Sequence, residues 1–402
     1  MRDVRCEHGR KRGDAHRLVH AAVKAVADFR DPSGTLISEV FFGHRSSLQA
    51  SSAIAFDEAP LIHEGVVARN EPLCRDHFRI LVRVPRFRPA KPGQFLHVSP
   101  TNSVRTHVEL RGEDRRASES WSSWMQAPLL RRAYSIAGLS WRPDGVELQI
   151  IYRVVGKTTH WLQKLRPDEF ISVLGPLGNQ FPIDVRKSQA WLVAGGVGLP
   201  PMLWLAQELH SCQRRAIAFC GVQRAELLPL TLDSWDSPAS DAGRATFSAM
   251  EFRQYGVPMV ISTDDGSLGF RGHVGEALAA YHAQNPVSAD DLVVYTCGPE
   301  RMMRFVAEYC VARGIWCFAC MERNMACGLG TCQSCAVAMV DGQDPQGWRY
   351  RLCCTDGPVF DAKEILWSAP HLHEFWETVG NPVAAPHGTS RELQSLPLGT
   401  GA

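Results

Sequence analysis

The run MACGLGTCQSC, followed downstream by LCCTDGPVF, gathers Cys327, Cys332, Cys335 and one of the adjacent pair Cys353 and Cys354 into a four-thiolate set. Clustered thiolates bind a metal ion or an iron-sulfur cluster, so this segment has to fold as a tight ligand loop whatever surrounds it. The interval between the first two cysteines holds Gly328 and Gly330. Residues without a Cβ reach positive φ, which lets a loop wrap closely with its amides turned inward. That arrangement suits a cluster whose sulfurs accept hydrogen bonds.

The Cys-x4-Cys-x2-Cys spacing matches plant-type 2Fe-2S sites, in which a distant fourth cysteine completes the set. The competing reading is a structural zinc site built from Cys317-x2-Cys320 and Cys332-x2-Cys335, since paired Cys-x2-Cys units are the usual zinc pattern. It leaves the glycine-rich loop without a purpose, and its two pairs stand closer together than zinc sites usually place them. Cys317 and Cys320 read more simply as small apolar residues of a buried strand. Thirteen cysteines without a secretory signal fit a reducing compartment, so a cytoplasmic chain is expected. With 43 basic against 42 acidic residues, the net charge of +1 makes no electrostatic case for nucleic acid or an anionic membrane.

A chain of 402 residues has room for two or three domains. Residues 1–60 are basic at the start, but Asp3, Glu7 and Asp14 interrupt them and no clean apolar segment follows, so a poorly ordered extension is expected. From 61 to 186 the short runs FRILVRV, PGQFLHVSP, RRAYSIAG, VELQIIYRVVG and FISVLGPLG predict an antiparallel barrel, with a surface insertion at 101–126. From 187 to 316 AWLVAGGVG, AIAFCG, PMVIST and DLVVYTCGP alternate with amphipathic segments, the signature of a parallel α/β sheet covered by helices. Residues 317–368 form a small cysteine-rich domain and 369–402 a tail. The fold class is therefore multi-domain α/β plus β. The uncharged run from Ala190 to Ala206 is broken by Gly195, Gly196, Gly198, Pro200 and Pro201, so it reads as strand, turn and helix start, not as a membrane span.

In RRAYSI, Arg132, Tyr134 and Ser135 put a cation, an aromatic ring and a hydroxyl on one strand, which together could serve the pyrophosphate, the ring and the heteroatoms of FAD. Such a strand alone is more often only a strand. IIYRVVGKTTHWL adds Tyr152 and Arg153 and places Thr158 and Thr159 at a predicted helix start, where amides can hold phosphate; with GPLGNQF closing the barrel, the three segments favour the flavin. VAGGVGLPPM follows a strand and opens a helix, and Gly195, Gly196 and Gly198 would let a phosphate-bearing ligand approach the backbone. It lacks the GxGxxG spacing, so by itself it is a weak signal, with a tight strand-to-helix packing turn as the alternative. YTCGPERMM supplies a second such turn at Cys297, Gly298 and Pro299, at the carboxyl end of a strand where ligands of α/β sheets sit. After another strand come Asp264 and Asp265. An acid there, Asp265, would bond a ribose hydroxyl and favour NADH over NADPH, with an ordinary acidic turn as the equal alternative.

Taken in order, RRAYSI, YRVVGKTT, GPLGNQF, VAGGVGLPPM, TDDGSLG, CGP, ERNMACGLGTCQSC and CCTDGPVF resemble the electron-transfer subunit of class B dihydroorotate dehydrogenase, within the ferredoxin reductase superfamily, over residues 61–367. The resemblance implies FAD, a 2Fe-2S cluster and NAD(H), and pairing with an FMN-containing catalytic subunit as a heterotetramer. It implies that Arg132, Ala133, Tyr134, Ser135, Ile151, Tyr152, Arg153, Thr158 and Thr159 touch FAD. It makes Cys354, two places before the DG pair, the fourth ligand beside Cys327, Cys332 and Cys335, with Cys353 a neighbour. Members usually carry Pro and Ile where Ala133 and Tyr134 stand, and Gly where Thr158 stands. The implied activity is transfer of electrons from NADH through FAD and the cluster to the partner flavoprotein in pyrimidine biosynthesis. Two alternatives stay open: the same module serving a hydrogenase, transhydrogenase or oxygenase, and a zinc-stabilised module without turnover.

Overall fold

The computed structural model describes residues 61–100 and 130–367. The extension expected at 1–60, the insertion at 101–126 and the tail at 369–402 lie outside the described residues.

Seven strands and a short helix come first: β1 (Ile62–Cys74), β2 (His77–Val84), β3 (Phe95–Pro100), β4 (Arg132–Ser135), β5 (Gly138–Arg142), β6 (Gly145–Arg153), α1 (Lys157–Gln163) and β7 (Phe170–Leu177). They form one antiparallel sheet in the order β4-β3-β7-β1-β2-β6-β5. Its two end strands are a single stretch of chain that changes partner. Ile136 N donates to Gln94 O at 3.3 Å beside β3, and Ala137 N donates to Gln149 O of β6 at 2.8 Å. The chain thereby links the two ends of the sheet, with β4 bonded to β3 and β5 to β6. In β6 the alternation expected of a half-buried strand is visible: Val146, Leu148 and Ile150 point into a core shared with Val67, Ile80, Val82, Leu96 and Ile171, while Glu147 and Gln149 point away.

The second sheet contains β8 (Gln189–Gly195), β9 (Arg215–Val222), β10 (Met259–Thr263), β11 (Phe270–Arg271), β12 (Leu292–Cys297), β13 (Trp316–Cys320) and β16 (Val359–Asp361), in the order β11-β10-β9-β8-β12-β13-β16. All neighbours are parallel except β13 and β16. Helices cover both faces, and the central strands β8, β10 and β12 are almost wholly buried because neither face meets water. Leu192 and Ala194 pack with Met202 and Leu205 of α2 (Leu199–Ser211). Trp191 and Val193 face the other way, toward Leu278 and Tyr281 of α3 (Val274–Gln284) and Met303 and Val306 of α4 (Glu300–Val311). The uncharged run from Ala190 to Ala206 is thus divided among β8, its turn and α2. Among the described residues no helix is long and apolar enough to cross a membrane.

The boundary expected at 316/317 falls inside this sheet. β13 bonds to β12 in register from Val293 opposite Trp316 to Cys297 opposite Cys320, and β16 adds to its far edge. WCFAC is an apolar strand that needs a sheet to satisfy its backbone, and the cysteine block next to it in sequence obscured that. The cysteine module proper is the loop from Met321 onward and the antiparallel pair β14 (Ala336–Val340) and β15 (Trp348–Leu352). β8, the first strand of the sheet in sequence, sits in its middle, with β9 on one side and β12 on the other. The helices that follow β8 and β12 leave toward opposite faces of the sheet, which places a crevice at the carboxyl ends of these strands.

Candidate functional site

A cleft of about 1030 Å³ opens between the antiparallel sheet and that crevice and continues to residues Met321–Met325. Arg132, Ala133, Tyr134, Ser135, Ile151, Tyr152, Arg153, Thr158, Thr159, Gly195, Gly196, Cys297 and Pro299 all line it. So do His77, Glu322 and Arg323, which sequence reasoning missed, and Asp264, which it named beside Asp265 without choosing it. His77 enters because the register of β2 and β6 sets it opposite Arg153, and a register is not readable from one strand.

Four buried polar atoms on this wall have no hydrogen-bond partner within the protein: Tyr134 Oη, Arg153 Nε, His77 Nε2 and Arg323 Nε. Each such group costs about 1–3 kcal/mol if left unpaired, so their convergence fits a polar ligand. Burial pushes the Tyr134 phenol up to about 12, which keeps it protonated and able to donate. Burial, then Arg153, lowers His77 to about 4, against the opposing pull of Asp76, so its ring is neutral. Arg323, though buried, is paired: its guanidinium donates to Glu300 at 3.0 and 3.2 Å. Burial also raises the Glu322 carboxyl, with Arg323 opposing it.

Two of the expected contacts have structural duties as well. Tyr152 Oη donates to Asn70 Oδ1 at 3.0 Å, and Asn70 Nδ2 donates to Leu162 O at 2.9 Å and Leu165 O at 3.0 Å, tying β6 and β1 to the end of α1. Thr159 Oγ1 accepts from Val155 N at 2.9 Å and Gly156 N at 3.0 Å and donates to Gly156 O at 3.0 Å. Its hydroxyl therefore fixes the start of α1, and Thr158 is mostly buried beside it.

On the crevice side the expectations divide. Gly196 takes φ 51° and a Cβ there would meet nothing within 4 Å, so the turn lies open to the cleft. Gly198 and Gly298 do not line it. A Cβ on Gly198 would run into the Cys297 carbonyl, and one on Gly298, at φ 146°, would stand 2.8 Å from Gly195 O. Both glycines lock the two turns together. Asp265 is likewise set back: its carboxylate accepts from Ser267 N at 3.0 Å and Ser267 Oγ at 2.6 Å, which holds it below the usual range, and Asp264 takes the place at the cleft wall. The Cys297 thiol is raised by its hydrogen bond with Cys320 and by burial, and so stays neutral.

Beyond Met325 the chain turns into the thiol loop. Gly328, Gly330 and Gln333 take φ of 74°, 83° and 56°, the conformations expected of a loop wrapped around its ligands. Leu329 N and Cys332 N each donate to Cys327 Sγ at 3.4 Å, and Gly330 N donates to Cys354 Sγ at 3.2 Å. The side chains of Cys332 and Cys327 are neighbours, and so are those of Cys354 and Cys335. Among the described residues no three His, Cys, Asp or Glu side chains converge as ligands of a single metal ion. Cys353 is fully buried, with Arg323 as the cation that acts on it. Cys317 and Cys320, the other half of the zinc reading, are buried in β13 and bond to Cys310 and Cys297.

Residues 322–366 match the iron-sulfur cluster binding domain of dihydroorotate dehydrogenase B, and residues 192–308 match the oxidoreductase NAD-binding domain. A protein of Desulforamulus reducens named dihydroorotate dehydrogenase B (NAD(+)), electron transfer subunit, is 31% identical over 280 residues, covering 70% of this chain and 88% of the relative. The chain belongs to that family. The protein of the same name from Bacillus caldolyticus is 32% identical over 278 residues, covering 69% of this chain and 87% of its own. This chain shares its fold with an NADH-dependent reduced ferredoxin-NADP oxidoreductase of known structure, which matches with a TM-score of 0.56 at 23% identity over 75% of this chain and 90% of that one.

Proposed function

We propose that this chain takes electrons from NADH onto FAD held in the cleft and passes them through a 2Fe-2S cluster on Cys327, Cys332, Cys335 and Cys354 to an FMN-containing catalytic subunit that oxidises dihydroorotate in pyrimidine biosynthesis, the two forming a cytoplasmic heterotetramer. Nicotinamide supplies electrons in pairs as hydride, a flavin exchanges them in pairs or singly, and a 2Fe-2S cluster carries one at a time. The observation that carries the reading is continuity: one wall of the cleft, Met321–Met325, runs directly into the loop that holds the thiols.

In this reading the antiparallel barrel is the flavin domain. Arg132 and Arg153 offer cations to a pyrophosphate, Tyr134 offers a ring and a protonated hydroxyl, and Ser135 a second hydroxyl. The turns after β8 and β12 take the nicotinamide nucleotide, with Asp264 placed for a ribose hydroxyl and against a 2′-phosphate. The side chains bind, orient and exclude water, and none is needed as an acid or base.

Anaerobic purification of the full chain after iron and sulfide reconstitution tests this. A flavin and a ferric thiolate spectrum, bleached by NADH, is expected, and the native chain should bring down a flavoprotein that oxidises dihydroorotate. A chain that stays colourless overturns the cofactor assignment. A coloured chain captured with a different redox subunit overturns the acceptor.

A further inference from the structure

His97 has 0% exposure, and neither ring nitrogen has a hydrogen-bond partner within the protein. It lies on β3, where the register with β4 sets it opposite Ala133 in the cleft wall. On its other side is the thiol loop: a Cβ built on Gly328 would stand 3.0 Å from both Cε1 and Nε2 of His97. The imidazole thus rests on the residue that follows Cys327. Phe95 flanks the ring at 5.8 Å between centroids, and Arg131 Nη1 donates to the His97 carbonyl at 3.4 Å, so both the ring and its strand are held.

An apolar residue would fill this position at little cost, whereas a buried imidazole with no partner is unfavourable by about 1–3 kcal/mol for each unsatisfied group. The loop that touches the ring at Gly328 is the one that carries the thiols, and the amides of Leu329, Gly330 and Cys332 already donate to Cys327 and Cys354 Sγ. Whichever nitrogen carries the proton, the ring has one N–H to give.

We propose that His97 is a positioning residue for the cluster: its ring N–H donates to a cluster sulfur, from the barrel strand that borders the proposed flavin contacts. A donor at sulfur stabilises the more negative, reduced cluster, so His97 makes the cluster easier to reduce. The inference rests on the cluster assignment above and adds to it a side-chain donor that lies outside the cysteine module, more than two hundred residues earlier in the chain.

The test uses the full chain carrying 15N-histidine, reduced anaerobically and studied by pulsed EPR. The expected result is a weak 15N coupling to the reduced cluster, lost in His97→Leu and in His97→Gln. In EPR-monitored redox titrations His97→Leu should keep its iron but accept an electron about tenfold less readily, a shift of about 59 mV to lower potential for a one-electron couple. His97→Gln, which keeps an N–H donor, should recover some of that shift. The proposal is overturned if the parent chain shows a normal cluster signal without 15N coupling, a result independent of whether any variant folds. It is equally overturned by His97→Leu with full iron and an unchanged potential. A parent chain with no iron and no EPR signal would instead refute the cluster assignment.

Discussion

Cys353 and Cys354 are adjacent in sequence and both buried, but their contacts differ. Cys354 Sγ receives the Gly330 amide and neighbours the Cys335 side chain, while Cys353 bonds through its backbone N–H to Cys335 O at 2.9 Å. Cys354→Ser should therefore lose most of the cluster, measured as iron per chain and visible absorbance. Cys353→Ser should keep its iron and lose only the roughly 1–3 kcal/mol of stability that a buried, unpaired hydroxyl removes. If the two variants behave in reverse, the fourth ligand is Cys353. The thiol loop was legible because its chemistry is local: spacing and glycines alone select it. His77 and His97 were not, because each acquires meaning from a partner strand far away in sequence, and neither was the choice of Asp264 over Asp265, which hangs on the geometry of one turn. For the two histidines that partner is a β-register, which a single chain does not display; for Asp264 against Asp265 it is the bond from Ser267 that turns one carboxylate away.

At the scale of elements, the glycine-rich turn after β8 combines two tasks that look alike in sequence. Gly198 allows the backbone of the Cys297 turn to approach, and Gly196 supplies a left-handed conformation over open space. Gly198→Ala overpacks backbone against backbone, at a cost of about 1–3 kcal/mol or more. Gly196→Ala meets no atom and costs about 1–2 kcal/mol of left-handed strain. Urea unfolding should show the larger loss for Gly198→Ala. NADH kinetics should show a severalfold rise in KM for Gly196→Ala, whose new methyl stands in the cleft. A Gly196→Ala chain with unchanged KM would mean that the nucleotide does not lie over this turn. The antiparallel sheet and the mainly parallel sheet were readable from alternation and from the strand-turn-helix rhythm. The place of β13 was not, since a five-residue apolar strand carries no mark of which sheet it joins, and its two cysteines drew it toward the wrong neighbour.

For the molecule as a whole, electron flow along the proposed route requires the cluster module to stay fixed on the barrel, and one residue makes much of that attachment. Asn179 follows β7. Its backbone N–H donates to Gly357 O at 2.6 Å, its Nδ2 donates to Asp356 O at 2.9 Å and Val359 O at 2.8 Å, and its Oδ1 accepts from Val359 N at 2.9 Å. Two of these reach the segment that joins Cys354 to β16, and two reach Val359, the first residue of β16. Gly178 adds close packing, since a Cβ there would stand 2.6 Å from Pro358. Asn179→Ala deletes three bonds and leaves the Val359 amide without its partner, at about 1–3 kcal/mol for the unsatisfied group. The cleft itself does not use Asn179, so reduction of the flavin by NADH should be nearly unchanged. Delivery to a one-electron acceptor that draws on the cluster should fall about tenfold or more, with iron and flavin still bound. Stopped-flow absorbance separates the two steps. Equal loss in both would show that Asn179 supports the whole fold, and no loss in either would show that the attachment is made elsewhere.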